Sequence, residues 1–337
     1  VRHYKLLEGK KMLTSETVKR FALECGADIV GIGSMDRFEG APKECDPRYI
    51  FPEAKAIIGL GFRIHRGLLR GIEEGTYFAG YPAMGYASIN DVFAPMVLRL
   101  VGNFIEDHGY EAVLYQNTSV RLGCNVGKPV SEGKPKPDVF LHFRIAAFIC
   151  GMGEIGYSKL LLTPQFGPRQ RFAFIITDAP LEPDPLFEGG LCDRCKLCAE
   201  ECPAGAISKT KTVKIKVAGR EIEWGELDEA KCAAVYQVGT PRCSPFLDER
   251  AEEFISQLIE GKIQVSAGEA FSQAKSLVAY SRNAWESYHH PSAICGGMGC
   301  IRACMIHLES QGKLKNKFHS PFRRRKPWWY SPPWAQS

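Results

Sequence analysis

Four cysteines, Cys192, Cys195, Cys198 and Cys202, with Pro203 directly behind the last, read C-x2-C-x2-C-x3-C-P. That spacing aims three thiolates from one tight turn at a single [4Fe–4S] cubane, while the fourth points away towards a second cluster. A further cysteine group is therefore expected downstream, and Cys295, Cys300 and Cys304 supply it. Zinc sites take their ligands in separated pairs, and disulfide frameworks belong to short secreted chains. Neither matches this run. Two cubanes need eight thiolates, so one ligand must lie between the groups, and the candidates are Cys232 and Cys243. The allocation is Cys192, Cys195, Cys198 and Cys304 to one cluster, and Cys202, Cys232, Cys295 and Cys300 to the other, with Cys243 as the rival of Cys232. Cys25, Cys45, Cys124 and Cys150 have no ligand spacing and read as small buried hydrophobes.

Other chemistry is sparse. No H-x-x-x-H occurs, and His142, His289 and His290 read as hydrogen-bonded polar residues. There is no G-x-S-x-G and no G-x-G-x-x-G between a strand and a helix, so neither a nucleophile elbow nor a dinucleotide site is expected. The run G-M-G-E-I-G at 151–156 is dense in glycine. Such glycines let backbone approach something large and flat, or a neighbouring segment.

The elements that must position these residues alternate. A helix is predicted over 14–26, strands over 27–33 and 54–62, a helix around Met96–Ile105, a strand over 111–115, a helix over 143–150 and a strand over 172–177. That order predicts a layered α/β (α+β) domain. Residues 77–90, rich in aromatics, glycine and Pro82, read as an irregular entry to the fourth of these elements, and 123–138 as an exposed loop. Residues 212–224 alternate about an A-G-R turn as a peripheral hairpin, and helices are predicted over 248–260 and 268–282.

The chain has 337 residues, 45% hydrophobic and 24% charged, as expected for a globular protein with a full core. No apolar run reaches membrane-spanning length. The N-terminal residues show neither a hydrophobic signal region nor a twin-arginine motif, and a cytoplasmic protein is expected. The net charge of +5 is modest. Its basic run Arg323–Lys326, followed by Trp328, Trp329 and Trp334, reads as a tail strapped over the protein's own surface rather than as a nucleic-acid site.

Several strings in series resemble the cobalamin-dependent reductive dehalogenases: G-M-G-E-I-G, L-T-P-Q-F-G-P-R-Q-R, I-T-D-A-P-L, the cysteine run with its P-A-G-A-I-S, and N-K-F-H-S-P-F-R-R-R-K-P-W. The related epoxyqueuosine reductases share the core, and their D-x-x-x-C is similar to Asp228–Cys232, which favours Cys232 as the eighth ligand. The resemblance covers roughly 75–327 and implies a nitroreductase-like cobalamin-binding domain (1–187). A ferredoxin-like domain with two [4Fe–4S] clusters (188–312) would follow, with a long insertion at 203–294, and then a basic, aromatic tail (313–337). It further implies a base-off corrinoid beside Gly151, Gly153, Gly156, Thr163 and Gly167. A tyrosine would be the proton donor, with Tyr86 the best match by position and Tyr81 and Tyr110 its rivals. Arg169 or Arg171 would be the basic partner, and Asn117 a polar neighbour.

The activity so implied is reductive cleavage of a carbon–halogen or similar bond in a small organic substrate. Electrons would come from a low-potential donor such as a ferredoxin or flavodoxin. An epoxyqueuosine-reductase-like enzyme acting on tRNA, or an electron carrier without corrinoid, are the alternatives. The chain departs from these families in lacking the D-S-A-P-V string and in spacing its second group C-x4-C-x3-C-M.

Overall fold

The computed structural model describes residues 12–117, 127–277, 295 and 298–322. Cys124, His289, His290 and the tail beyond Phe322 lie outside them. Helix α1 (Ser15–Glu24) opens on a Thr14 capping box, and its Val18 and Ala22 face the core. Strands β1 (Ile29–Ser34) and β2 (Ala56–Arg63) follow. Then come α2 (Arg70–Glu74), α3 (Gly80–Pro82), a π-helix (Ala83–Phe93) and α4 (Ala94–Asp107). β3 (Ala112–Tyr115), α5 (Phe143–Ile149), the short pair β4 (Glu154–Ile155) and β5 (Leu161–Leu162), and β6 (Gln170–Thr177) complete the first part. The remainder is α6 (Leu197–Glu200), the hairpin β7 (Ile207–Val217) and β8 (Arg220–Leu227), and helices α7 (Glu229–Val238), α8 (Glu249–Ile259), α9 (Ala267–Ser276) and α10 (Cys300–Ser310).

The central sheet has the order β1-β2-β6-β3 and every pairing is antiparallel, so the mixed fold takes its α+β form. Both faces are covered, which is why β2 from Ala56 to Phe62 and β6 from Phe172 to Ile176 are apolar and buried. Because side chains alternate across a strand, Ala56, Ile58, Leu60 and Phe62 join Ala173 and Ile175 under α4 and the π-helix. Ile57, Phe172, Phe174 and Ile176 pack with α5 on the other face. On that second face a Cβ at Gly31 would lie 2.3 Å from the Cys150 oxygen, and one at Gly59 2.7 Å from the Met152 sulfur. The sheet thus takes the C-terminal end of α5 directly onto its backbone.

Two segments differ from expectation. Residues 80–93 are helical, because Pro82 falls in the first turn, where it removes no needed hydrogen bond, and the widened π turns that follow absorb the remaining residues. The 207–227 hairpin is not wholly peripheral: Ile222 and Trp224 are buried against the α5 face of the core. Within the described residues helix α9 spans Ala267–Ser276, and from residue 278 on the helix predicted to 282 lies outside them.

Candidate functional site

The cysteine run leads out of an irregular stretch into the short helix α6. Arg194 and Lys196 take positive φ, 57° and 61°, which turns the chain tightly enough to bring three thiols round. Cys192, Cys195, Cys198 and Cys304 of α10 line one cavity together with Tyr157, Leu191, Leu308 and His307. Burial, and then Cys192 and Cys195, push the Cys198 thiol up to about 11. Burial, followed by Cys192 and Cys198, lifts Cys304 well above its ordinary value. Thiols that raise one another in this way cannot all ionise without a cation between them, so the set fits an iron–sulfur cluster.

The second group gathers likewise. Cys295 is held well above its ordinary value by burial first, then by Cys232, Cys300, Cys243 and Cys202. Cys300 is pushed up to about 12 by burial and then by Cys232, Cys202 and Cys198. Arg144 of α5, unremarked in the sequence, faces this group. Burial lowers it while Cys232 and Cys300 pull it back up.

Gly156, Tyr157, Ser158 and Leu162 form part of the wall of the cavity that Cys192 and Cys304 line. Gly153 packs so closely that a Cβ would stand 1.9 Å from the Leu162 oxygen, and Gly151, at φ 70°, would meet the Pro185 oxygen at 2.3 Å. Gly156 meets the Leu162 side chain. Thr163 is tied to Gln170 (3.1 Å), its hydroxyl accepts the Phe166 N–H (3.1 Å), and Gly167 bonds back to Thr163. The room these glycines make is filled by the chain itself, so of the two readings of the glycine run, a neighbouring segment is the one found. One oxygen of Glu154 accepts the N–H groups of both Leu191 and Cys192 at 2.6 Å. The Tyr157 N–H donates to the Cys192 sulfur at 3.3 Å.

Across the sheet, on the α4 face, a polar group sits inside the apolar core. Tyr81 of α3 and Tyr86 and Asn90 of the π-helix that continues it recur at intervals of five and four, so they share one face. The Arg171 guanidinium of β6 lies 3.9 Å from the centre of the Tyr86 ring, and its Nε donates to the Gly85 oxygen at 3.5 Å. Tyr236 of α7 packs against Tyr86, ring centres 5.8 Å apart. Burial pushes Tyr81 up to about 12, against the pull of Arg171, with Cys295 and Cys300 next in influence. Burial pulls Arg171 down, but the facing Tyr236, Tyr81 and Tyr86 hold it above its usual value. Asn90 is 1% exposed, and neither its amide nitrogen nor its oxygen has a hydrogen-bond partner. Each such orphan costs about 1–3 kcal/mol, and a bound polar group at this place would satisfy it.

Arg171, not Arg169, therefore meets the tyrosines. Arg169 is buried away from them, donating to the Ile64 oxygen at 2.6 Å and to the Asn316 side chain at 3.0 Å. It anchors residues 313–322 and is not part of the tyrosine group. Tyr110 packs at the edge of the α4 core. Asn117 stands two residues past β3, directly before the segment outside the described residues. Sequence reasoning missed Asn90, Arg144, Glu154 and Tyr236. Only the i, i+4 step from Cys232 to Tyr236 on α7 was available as a signal.

The family described as 4Fe-4S binding domain matches residues 188–208. A tetrachloroethene reductive dehalogenase of Desulfitobacterium hafniense is 39% identical over 261 residues, 69% of this chain and 44% of that protein. An epoxyqueuosine reductase of Bacillus anthracis is 30% identical over 111 residues, 33% of this chain and 24% of that protein. Among solved structures, a catabolic reductive dehalogenase in complex with 3-bromo-4-hydroxybenzoic acid aligns with a TM-score of 0.49 at 17% identity, over 94% of this chain and 41% of the other. The chain spans about half the length of the curated dehalogenases it matches. By sequence, it is a reductive dehalogenase-like protein with a [4Fe–4S]-binding motif.

Proposed function

We propose that this chain is an oxidoreductase that reductively cleaves a carbon–halogen or similar bond in a small organic substrate, using two [4Fe–4S] clusters and a base-off corrinoid. The observation that carries the reading is that Ile301 and Met305, next to Cys300 and Cys304 on α10, pack into the same core cluster as Tyr81 and Tyr86, where Arg171 lies 3.9 Å from the centre of the Tyr86 ring. An electron source and a proton source converge there. The clusters would supply single low-potential electrons and the corrinoid a strongly reducing metal.

The chain's own residues do the rest. Eight cysteines hold the clusters, Cys232 among them. Tyr86 carries the proton delivered to the product carbon, with Tyr81 behind it. Arg171 lies against the Tyr86 ring and stabilises the phenolate left after transfer. Asn90 offers an unpaired donor and acceptor to the bound group. Ile89, Tyr81 and Tyr236 keep water out. The exposed Cys195 marks where a ferredoxin or flavodoxin would deliver electrons.

Protein prepared without oxygen from cobalamin-supplied cells should contain about eight irons and bind cobalt. Tyr86→Phe, at unchanged iron and cobalt, should lower turnover by about 10²–10⁴-fold. Full turnover in that variant would remove Tyr86 from the role. Iron without cobalt would leave an electron carrier. The match to an epoxyqueuosine reductase supports a second reading, a reductase acting on tRNA, which salt-sensitive tRNA binding would favour.

A further inference from the structure

Glu154 occupies an unusual place. It lies on β4, inside the glycine-dense run, and one of its oxygens takes the two backbone N–H groups that open the cysteine run, Leu191 and Cys192, both at 2.6 Å. The Lys313 ammonium donates to the Leu191 carbonyl at 3.1 Å on the same peptide stretch. Asp193 repeats the pattern further on: its Oδ1 accepts the Cys195 N–H at 3.2 Å, and its Oδ2 is held by His307 (2.8 Å) and Gln311 (2.7 Å).

The reduction potential of an iron–sulfur cluster follows its net charge, the hydrogen bonds to its sulfurs and its exposure. N–H groups pointed at sulfur stabilise the extra electron of the reduced state, and a nearby carboxylate destabilises it. Glu154 acts in one direction on both counts. It ties up two amides beside Cys192 that would otherwise be free to turn towards sulfur, leaving Tyr157 N–H as the donor to that thiolate. It also adds a negative charge just behind the first cysteine.

We propose that Glu154 is a positioning residue that holds the potential of the first cluster low, so that this cluster hands on electrons of low potential. The inference rests on the cluster being held by Cys192, Cys195, Cys198 and Cys304, and it is independent of whether a corrinoid binds.

The test is Glu154→Gln in the full chain, purified without oxygen. Glutamine keeps the carbonyl acceptor for the two amides and removes the charge. Iron content is measured first, then the midpoint potentials by redox titration followed with electron paramagnetic resonance. Iron should equal wild type, one cluster's midpoint should move positive, and the other should stay in place. Unmoved midpoints at full iron would overturn the proposal. Loss of iron in Glu154→Gln would also overturn it, since the carboxylate would then be needed to hold the loop rather than to set the potential. A wild-type protein that takes up no cluster would fail the underlying cluster assignment, a result distinguishable from either.

Discussion

Cys232 and Cys243 differ in what their sulfurs already do. The Cys243 sulfur accepts the Thr240 N–H at 3.1 Å and the Thr240 hydroxyl at 3.3 Å, and its side chain is fully buried. A thiol so occupied fits a turn-closing role in T-P-R-C. Cys232 sits at the start of α7, where Asp228 caps the helix through Lys231 N–H at 3.0 Å. Burial raises its thiol first, and then Arg144 and Cys202 act on it in opposite senses. The guanidinium of Arg144 favours the thiolate, the form that binds iron. Cys232→Ala should therefore lose about half the iron, because one cubane loses a ligand. Cys243→Ala should keep it all. Equal iron in the two variants, measured alongside sulfide, would remove this division of the eight thiolates.

At the scale of elements, α5 shows how a helix start can carry a pH response. His142 is its N-cap, and its Nδ1 accepts the Ile145 N–H at 3.4 Å, which requires that nitrogen to be unprotonated. Burial, then Arg144 and Lys159, lower its pKa from 6.5 to about 3. The unfolded chain therefore binds a proton that the folded chain refuses between those values. The contribution is complete above pH 6.5 and falls away as the pH drops from 6.5 towards 3, with a slope of up to about 1.4 kcal/mol per pH unit. His142→Gln should flatten the dependence of unfolding free energy on pH in that window. An unchanged slope would mean that another group carries it. The helix was legible in the sequence, as were the strands, since both follow apolar periodicity. Its cap was not, because histidine is not among the residues that announce one. The π-helix was hidden for a related reason. Pro82 and the glycines at 80 and 85 look like breakers until Gly80 is seen against the Tyr77 ring and Gly85 against Ile64 and Tyr81. The cysteine run was legible from spacing alone, whereas Tyr236 and Asn90 join the site only through packing between α7 and the π-helix.

Across the whole molecule, one buried cation joins parts far apart in sequence. Arg302, between Cys300 and Cys304 on α10, donates to Glu73 of α2 at 2.6 and 2.9 Å and to Glu201, beside Cys202, at 2.9 Å. Glu73 and Arg302 are both nearly solvent-free, so the pair is screened little by salt. The same α10 is tied by Glu309 to Arg66 at 2.8 Å, and Arg66 stacks on Phe318 at 3.5 Å in the segment that returns along the protein. The layer bearing the tyrosines and the helix bearing Cys300 and Cys304 are thus clamped by two ion pairs, Arg302–Glu73 and Arg66–Glu309. A buried pair of this kind adds little net stability over an apolar replacement, yet removing one partner strands the other and costs about 3–5 kcal/mol. Glu73→Gln removes the carboxylate that takes two of the Arg302 bonds and should lower the denaturant midpoint by up to that amount, while Glu201→Gln, which removes the single bond at 2.9 Å, should cost less. If the clamp also fixes how the cysteines of α10 meet those of the run, Glu73→Gln will release iron at lower denaturant than wild type. A midpoint unmoved by Glu73→Gln would show that the Arg302–Glu73 pair does not help to fix α10 against the tyrosine layer.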